Sequence, residues 1–312
     1  MTSFPVIHAS KIDDRPKERR WLVEDLWIDE GVGIIGGQPK CCKSFLALDM
    51  AVAVASGKPC LRGYAVARRG RVLLYCAEDA LDIVKKRLTG ICNASGCDLN
   101  EIDIQVITAP VLRLDKDDHR GALTETVQRL QPKLLVLDPF IRMHRIDENN
   151  SGEVAAILAY LRVLNRTFKV AVALVHHASK RSNIRAGQAL RGSSEFHAWG
   201  DSNLYLQRGR DDALHLTVEH RSETSRSGVA LELHEQDDSL ALRQVLDVSS
   251  DCREPTSNED KVYEVIRQKN AALSLEQIRA ASHIRRNTVC DIIKTLVQQG
   301  KVIKSSHGYQ AT

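Results

Sequence analysis

Residues 37–44 read Gly-Gln-Pro-Lys-Cys-Cys-Lys-Ser and satisfy the spacing G-x-x-x-x-G-K-[ST] at every fixed position but one, where Cys42 stands in place of the second glycine. That spacing describes a phosphate-binding loop. Its backbone N–H groups gather at a helix N-terminus and cradle phosphate oxygens, the lysine reaches the β- and γ-phosphates, and the hydroxyl holds Mg2+. Gly37, Gln38, Pro39, Lys40, Cys41, Cys42, Lys43, Ser44 and the following Phe45 are therefore the candidate nucleotide-contacting set, with Ser44 as a metal ligand. Two acids carry complementary chemistry. Asp138 closes "LLVLD", four aliphatic residues and then a carboxylate, which suits a metal-holding group acting through water. Glu78 follows "VLLYCA" and suits a general base for an attacking water. His176 and His177 end "VALVHH", where a histidine is either a core or loop residue or a group that could sense a terminal phosphate by hydrogen bonding.

Cys42 bears directly on this chemistry. Glycine is favoured in such loops because it reaches positive φ freely and leaves room for phosphate. A cysteine forced to positive φ costs about 1–2 kcal/mol, which a well-determined loop can carry. Nucleotide binding is expected to survive in weakened form. The thiol, beside Lys43 and a helix N-terminus, is expected to be acidified and reactive.

The elements that must position these groups follow from hydrophobic periodicity. "VGIIGG" (32–37) and "SFLALDMAVAVASG" (44–57) read as strand and helix on either side of the loop. Further strands are expected at 70–79, 101–109, 133–139 and 170–178, and helices over 80–91, near 117–130 and over 152–167. Nearly continuous Val/Ile/Leu strands alternating with helices predict an α/β fold, a mainly parallel sheet with helices on both faces. Beyond residue 200, "SNLYLQR", "ALHLTVEHR", "VALELHE" and "LALRQV" are short alternating strands that suit an antiparallel extension of that sheet. The polar stretch after residue 246 reads as a linker. The expected division is an N-terminal segment 1–20, the α/β domain 21–246, a linker 247–257 and a small domain 258–312.

Composition narrows the class. With 43% hydrophobic and 27% charged residues in 312, the chain is of ordinary globular type, neither fibrous nor disordered. No apolar run approaches a membrane span, and the first twenty residues lack an apolar signal core, so a cytoplasmic location is expected. The eight cysteines show no zinc-like pairing of spacings and read as reduced thiols. The net charge of +4 is local: residues 256–312 hold nine Lys/Arg and five Asp/Glu, and 9 − 5 accounts for the whole surplus. A polyanion could use it.

That basic end also has a pattern. "NEDKVYEVIRQ" (258–268), "SLEQIRAAS" (274–282) with a Ser274/Gln277 capping pair, and "IRRNTVCDIIKTLVQQG" (284–300) read as three helices, and "KVIKSSHGYQ" as two short strands around a turn. The segment resembles a winged helix-turn-helix. That likeness puts Arg285, Arg286, Asn287 and Thr288 at the start of a helix that would enter the major groove of duplex DNA. Winged helices also bind proteins, and that alternative stands beside it.

Taken together, residues 20–235 resemble the RecA-like hexameric ATPases of plasmid replication helicases, through "W-L", "GQPKCCKSFLALDMA", "YCAED", "LDPFIRMHRIDENN", "LVHHASK" and "LRGSSEFHAWGD". The resemblance implies ATP and Mg2+ as cofactors, with Lys43 and Ser44 on phosphates and metal, Glu78 activating water, Asp138 holding the metal shell and His177 sensing the γ-phosphate. It implies a homo-hexamer or other ring, hydrolysis at subunit interfaces, and a trans-acting arginine, for which Arg221 after "LHLTVEH" is the candidate. Relatives often carry Lys-x-Arg there, whereas this chain has Glu219. The basic stretch 178–192 supplies Lys180, Arg181 and Arg185 as candidates for gripping single-stranded DNA inside the ring. Three functions fit: a helicase or DNA motor of a plasmid, phage or mobile element, an ATP-dependent DNA-binding regulator or loader, and a nucleotide-binding scaffold that has lost hydrolysis.

Overall fold

The computed structural model describes residues 4–12, 20–177, 195–209, 213–224, 226–236, 239–245, 258–268, 272–282, 284, 286–299, 301–305 and 308–311. They fall into two compact units, Met1–Leu246 and Asp247–Thr312. In chain order the first unit contains β1 (Trp21–Val23), β2 (Trp27–Ile28), β3 (Val32–Gly37), α1 (Lys43–Ser56), β4 (Val72–Cys76), α2 (Leu81–Ser95), β5 (Ile104–Val106), α3 (Asp117–Leu130) and β6 (Leu134–Asp138). It continues with α4 (Ser151–Phe168), β7 (Ala171–His177), α5 (Glu195–Trp199), β8 (Ser202–Arg208), β9 (Leu214–His220), β10 (Arg226–Gln236) and β11 (Ser239–Gln244).

One sheet organises the unit, with strand order β11-β10-β9-β8-β3-β7-β6-β4-β5 among the described residues. From β8 to β5 the neighbours run parallel, and from β8 to β11 they run antiparallel. The expected parallel sheet with an antiparallel extension is therefore the architecture found. Alternation along each parallel strand explains why both faces are covered. Leu134 and Val136 turn to a core shared with α1 and α2, while Leu135 and Leu137 turn to one shared with α3 and α4. Strands buried on both faces read as unbroken apolar runs for this reason.

Two differences from the sequence reading have local causes. The strand expected over 101–109 is only Ile104–Val106, an edge strand with β4 as its one partner among the described residues. The β1–β2 hairpin, paired Trp21 to Ile28, has no counterpart in the sequence reading, since two- and three-residue strands carry no usable periodicity. Among the described residues no helix is long and apolar enough to cross a membrane.

The second unit holds α6 (Asn258–Gln268), α7 (Leu275–Ser282), α8 (Arg286–Gln298) and the antiparallel pair β12 (Val302–Ser305) and β13 (Gly308–Ala311). Val262, Ile266, Ile278, Val289, Ile293, Leu296 and Val302 form its own apolar core. The capping pair is present: Ser274 N–H donates to Gln277 Oε1 at 2.8 Å, and Gln277 N–H donates to Ser274 Oγ at 3.3 Å.

Candidate nucleotide and metal site

The site candidates converge because parallel strands deliver their C-terminal ends to one edge of the sheet. β3 ends at Gly37, which pairs in register with His177 at the end of β7. β6 ends at Asp138, in register with Cys76 at the end of β4, and Ala77 N–H donates to Asp138 O at 2.7 Å. Lys43 and Ser44, the first residues of α1, lie opposite. Gly37 must be glycine: φ is 155°, and a Cβ would sit 2.3 Å from Leu206 O and 2.6 Å from Cys41 Sγ.

The loop's backbone conformation suits anion binding. Lys40 and Cys42 both adopt positive φ, 64° and 63°, and Cys42 is the left-handed residue from which α1 starts. Alternation of this kind turns successive N–H groups into an anion-binding concavity. Cys42 therefore occupies a true glycine position and carries the strain its sequence position implied. Its expected acidity is corrected. Burial pushes the Cys42 thiol up, more than nearby Arg208, Lys43 and Arg87 pull it down, and Cys41 is raised by burial in the same way. The cysteine is a half-buried packing residue against the α1–α2 core.

Lys43 is buried, with its ammonium donating to Gln38 O at 2.7 Å and lying 3.9 Å from Cys41 Sγ. Burial lowers its pKa, partly offset by Cys41, Asp138 and Glu78. Asp138 is only 6% exposed, and burial pushes its carboxyl up to about 6 against a hydrogen bond from Ser44, with Asp79 and Glu78 adding repulsion. A buried carboxylate and a hydroxyl beside a lysine loop is a donor set suited to Mg2+, which needs only one or two protein oxygens when phosphates and waters complete its shell. A cation there would relieve the acid repulsion that raises Asp138. The residues present therefore fit both ATP phosphates and Mg2+. Among the described residues no cluster of three or more His, Cys, Asp or Glu forms a separate metal centre.

Glu78 lies two residues beyond the end of β4, half exposed, and accepts from Arg142 Nε at 2.8 Å. Asp79 pairs with Arg87, whose guanidinium also lies 5.2 Å over the Phe45 ring. His176 turns away from its neighbour His177: its ring stacks on Phe196 at 4.2 Å and meets Phe140 edge-on at 5.9 Å. Of the two histidines, His177 is the one on the Gly37 side.

Arg221 does not join this group within one chain. β9 runs antiparallel to β8, with Ser202 opposite His220 and Arg208 opposite Leu214. Arg221 therefore follows the far end of the strand, about 20 Å from the loop at ~3.3 Å per residue. Its side chain, 51% exposed, donates to Ala198 O and lies 3.6 Å from Asp201. Glu219 pairs through its carboxylate with His197 Nε2 at 2.9 Å.

Sequence reasoning missed Arg208, Arg142, Arg87 and Asp79. Arg208 Nη2 donates to Lys40 O at 3.4 Å because β8 is the parallel neighbour of β3, an adjacency the alternating pattern of "SNLYLQR" did not reveal. Asp79 and Arg142 stood within the quoted motifs "YCAED" and "LDPFIRMHRIDENN", which were the available signal for them. Lys180, Arg181, Arg185 and Arg285 lie outside the described residues, as do the side chains of Arg286 and Asn287. Thr288 is half-buried on the first turn of α8.

The AAA domain family matches residues 3–183, more than half of the chain. No curated protein sequence matches. Among solved structures, one described as an ATPase domain is similar with a TM-score of 0.53 at 14% identity, covering 68% of this chain and 84% of that one. A DnaB-like replicative helicase gives 0.52 at 14% identity over 68% of this chain and 57% of its own. The RadB recombinase gives 0.51 at 16% identity over 70% and 91%. These likenesses show a shared RecA-like fold.

Proposed function

The chain belongs to the AAA domain family, and on that premise we propose that it is an Mg2+-dependent ATPase that assembles as a ring and drives a helicase or DNA-translocating motor in replication of a plasmid, phage or mobile element. The observation that carries this reading is the convergence of Lys43, Ser44, Asp138 and Glu78 at the ends of β3, β6 and β4. In the proposed reaction the loop N–H groups and Lys43 hold the phosphates, releasing the ammonium from Gln38 O. Ser44 and Asp138 hold Mg2+, which when bound supplies charge neutralisation at the transferring phosphoryl group. Glu78 orients the attacking water and takes its proton, and His177 registers loss of the terminal phosphate.

Arg221 lies some 20 Å along the sheet from its own loop, so in this reading it serves the phosphates bound by another copy. The DNA reading draws on names that belong to the neighbours, a replicative helicase and a recombinase. It also draws on the basic 256–312 segment, whose three helices and strand pair suit a winged helix-turn-helix.

ATP turnover, DNA binding and strand displacement by the full chain test the reading. Glu78→Gln keeps ATP binding and lowers turnover by at least ~10²-fold, as loss of a positioned base requires. Arg285→Ala with Arg286→Ala weakens duplex binding and flattens its salt dependence, because fewer counterions are released. Turnover without strand displacement from a fork would leave a loader or regulator, and no turnover at all would leave the nucleotide-binding scaffold.

A further inference from the structure

Glu78 and Arg142 form an ion pair just beyond the end of β4. β4 ends at Cys76, and the last backbone tie of this strand tip is Ala77 N–H to Asp138 O. Beyond that tie the Glu78 side chain is held, among the described residues, by one hydrogen bond, from Arg142 Nε at 2.8 Å. Arg142 itself is well fixed at its backbone. It ends the 3-10 turn Phe140–Arg142 that directly follows Asp138 and Pro139, and its N–H donates to Pro139 O at 3.1 Å. Its carbonyl, with that of His144, accepts from Arg113 Nη1 at 3.1 and 2.9 Å. The end of β6 and the turn that follows it thus supply both the metal-holding acid and, four residues later, the group that directs the glutamate beyond β4. Asp79, the other acid at this tip, is taken by Arg87 from α2.

We infer that Arg142 is a positioning residue, setting the direction of the Glu78 carboxylate relative to Asp138 so that the water it activates meets the phosphate in line. The inference rests on Glu78 being the base. With side chains 63% and 43% exposed the pair adds little to stability, so its loss is expected to be read in turnover rather than in unfolding. An unheld carboxylate instead samples several rotamers, and misplacement by about 1 Å costs up to ~10²-fold in rate.

The experiment compares steady-state ATP hydrolysis by the full chain as wild type, Arg142→Ala, Arg142→Lys, Glu78→Gln and the Arg142→Ala/Glu78→Gln double variant, with thermal unfolding of each. Arg142→Ala is expected to lower kcat by roughly 10- to 100-fold with KM for ATP nearly unchanged. Arg142→Lys, which keeps the charge but not the planar donor, recovers part of the loss. In the Glu78→Gln background Arg142→Ala should add nothing, because it acts through the missing carboxylate. Wild-type kcat in Arg142→Ala, a loss confined to KM, or full additivity with Glu78→Gln overturns the inference while leaving Glu78 as the base. Wild-type turnover by Glu78→Gln instead overturns the base assignment, and the Arg142 role with it. If Arg142→Ala fails to fold, Arg142→Lys decides alone: unchanged kcat in it, or a loss that persists undiminished without Glu78, counts against positioning.

Discussion

Asp138→Asn should make the nucleotide-free protein more stable while abolishing hydrolysis, and the size of the gain follows from burial. The carboxyl is 6% exposed and its pKa is lifted from 3.8 to about 6, first by burial and then by Asp79 and Glu78. A folded-state pKa raised above the unfolded value means that the native state binds the proton more tightly. The stabilising effect of that proton is fully present below pH 3.8 and is lost as pH rises through about 6. Above that, wild type holds an ionised carboxylate at a cost of at most about 3 kcal/mol, from ~1.4 kcal/mol per tenfold change in proton affinity. Asparagine has a similar shape, its carbonyl can still accept from Ser44, and it carries no charge to desolvate. Urea unfolding with EDTA and without nucleotide should show the variant more stable at pH 7.5 by up to that amount. The difference should shrink towards zero near pH 4. Equal or lower stability of the variant at pH 7.5, or a difference that does not change with pH, would refute the argument. An active-site acid that costs stability until its ligand arrives is a familiar exchange of stability for function.

Two further predictions concern the loop and the shared site. Cys42→Gly removes a φ of 63° from a residue with a Cβ, so ATP affinity or turnover should rise by up to about tenfold, the equivalent of ~1.4 kcal/mol of relieved strain. Calorimetry and turnover decide it, and a glycine variant no better in either shows a loop built around the thiol. Mixing Lys43→Ala with Arg221→Ala chains should restore part of the turnover that each lacks alone, because some interfaces then pair an intact loop with an intact arginine. No recovery in confirmed mixed assemblies removes Arg221 from the site.

What was legible in the sequence divides by the range of the physics involved. The loop, the acid of β6 and the glutamate beyond β4 each announce themselves through a strand of five or six apolar residues and the polar group that ends it, and the parallel sheet then brings those ends together. The backbone conformation of Cys42 is legible from its position alone, because a helix must leave this loop through a left-handed residue whatever its side chain. Its ionisation could not be read the same way. The same lysine and helix terminus that promised an acidic thiol are outweighed by burial against the α1–α2 core, and burial is a property of the packed fold. Arg208 was hidden for a related reason. It reaches Lys40 across strand neighbours far apart in the chain, β8 beside β3, and no local period encodes adjacency. Arg221 shows the converse. It was chosen from its place at a strand end, and antiparallel pairing puts that end away from its own loop, so the residue serves hydrolysis only if a second copy brings a loop to it. Local pattern thus names the groups that do chemistry, whereas the groups that steer them emerge only once the strand order is known.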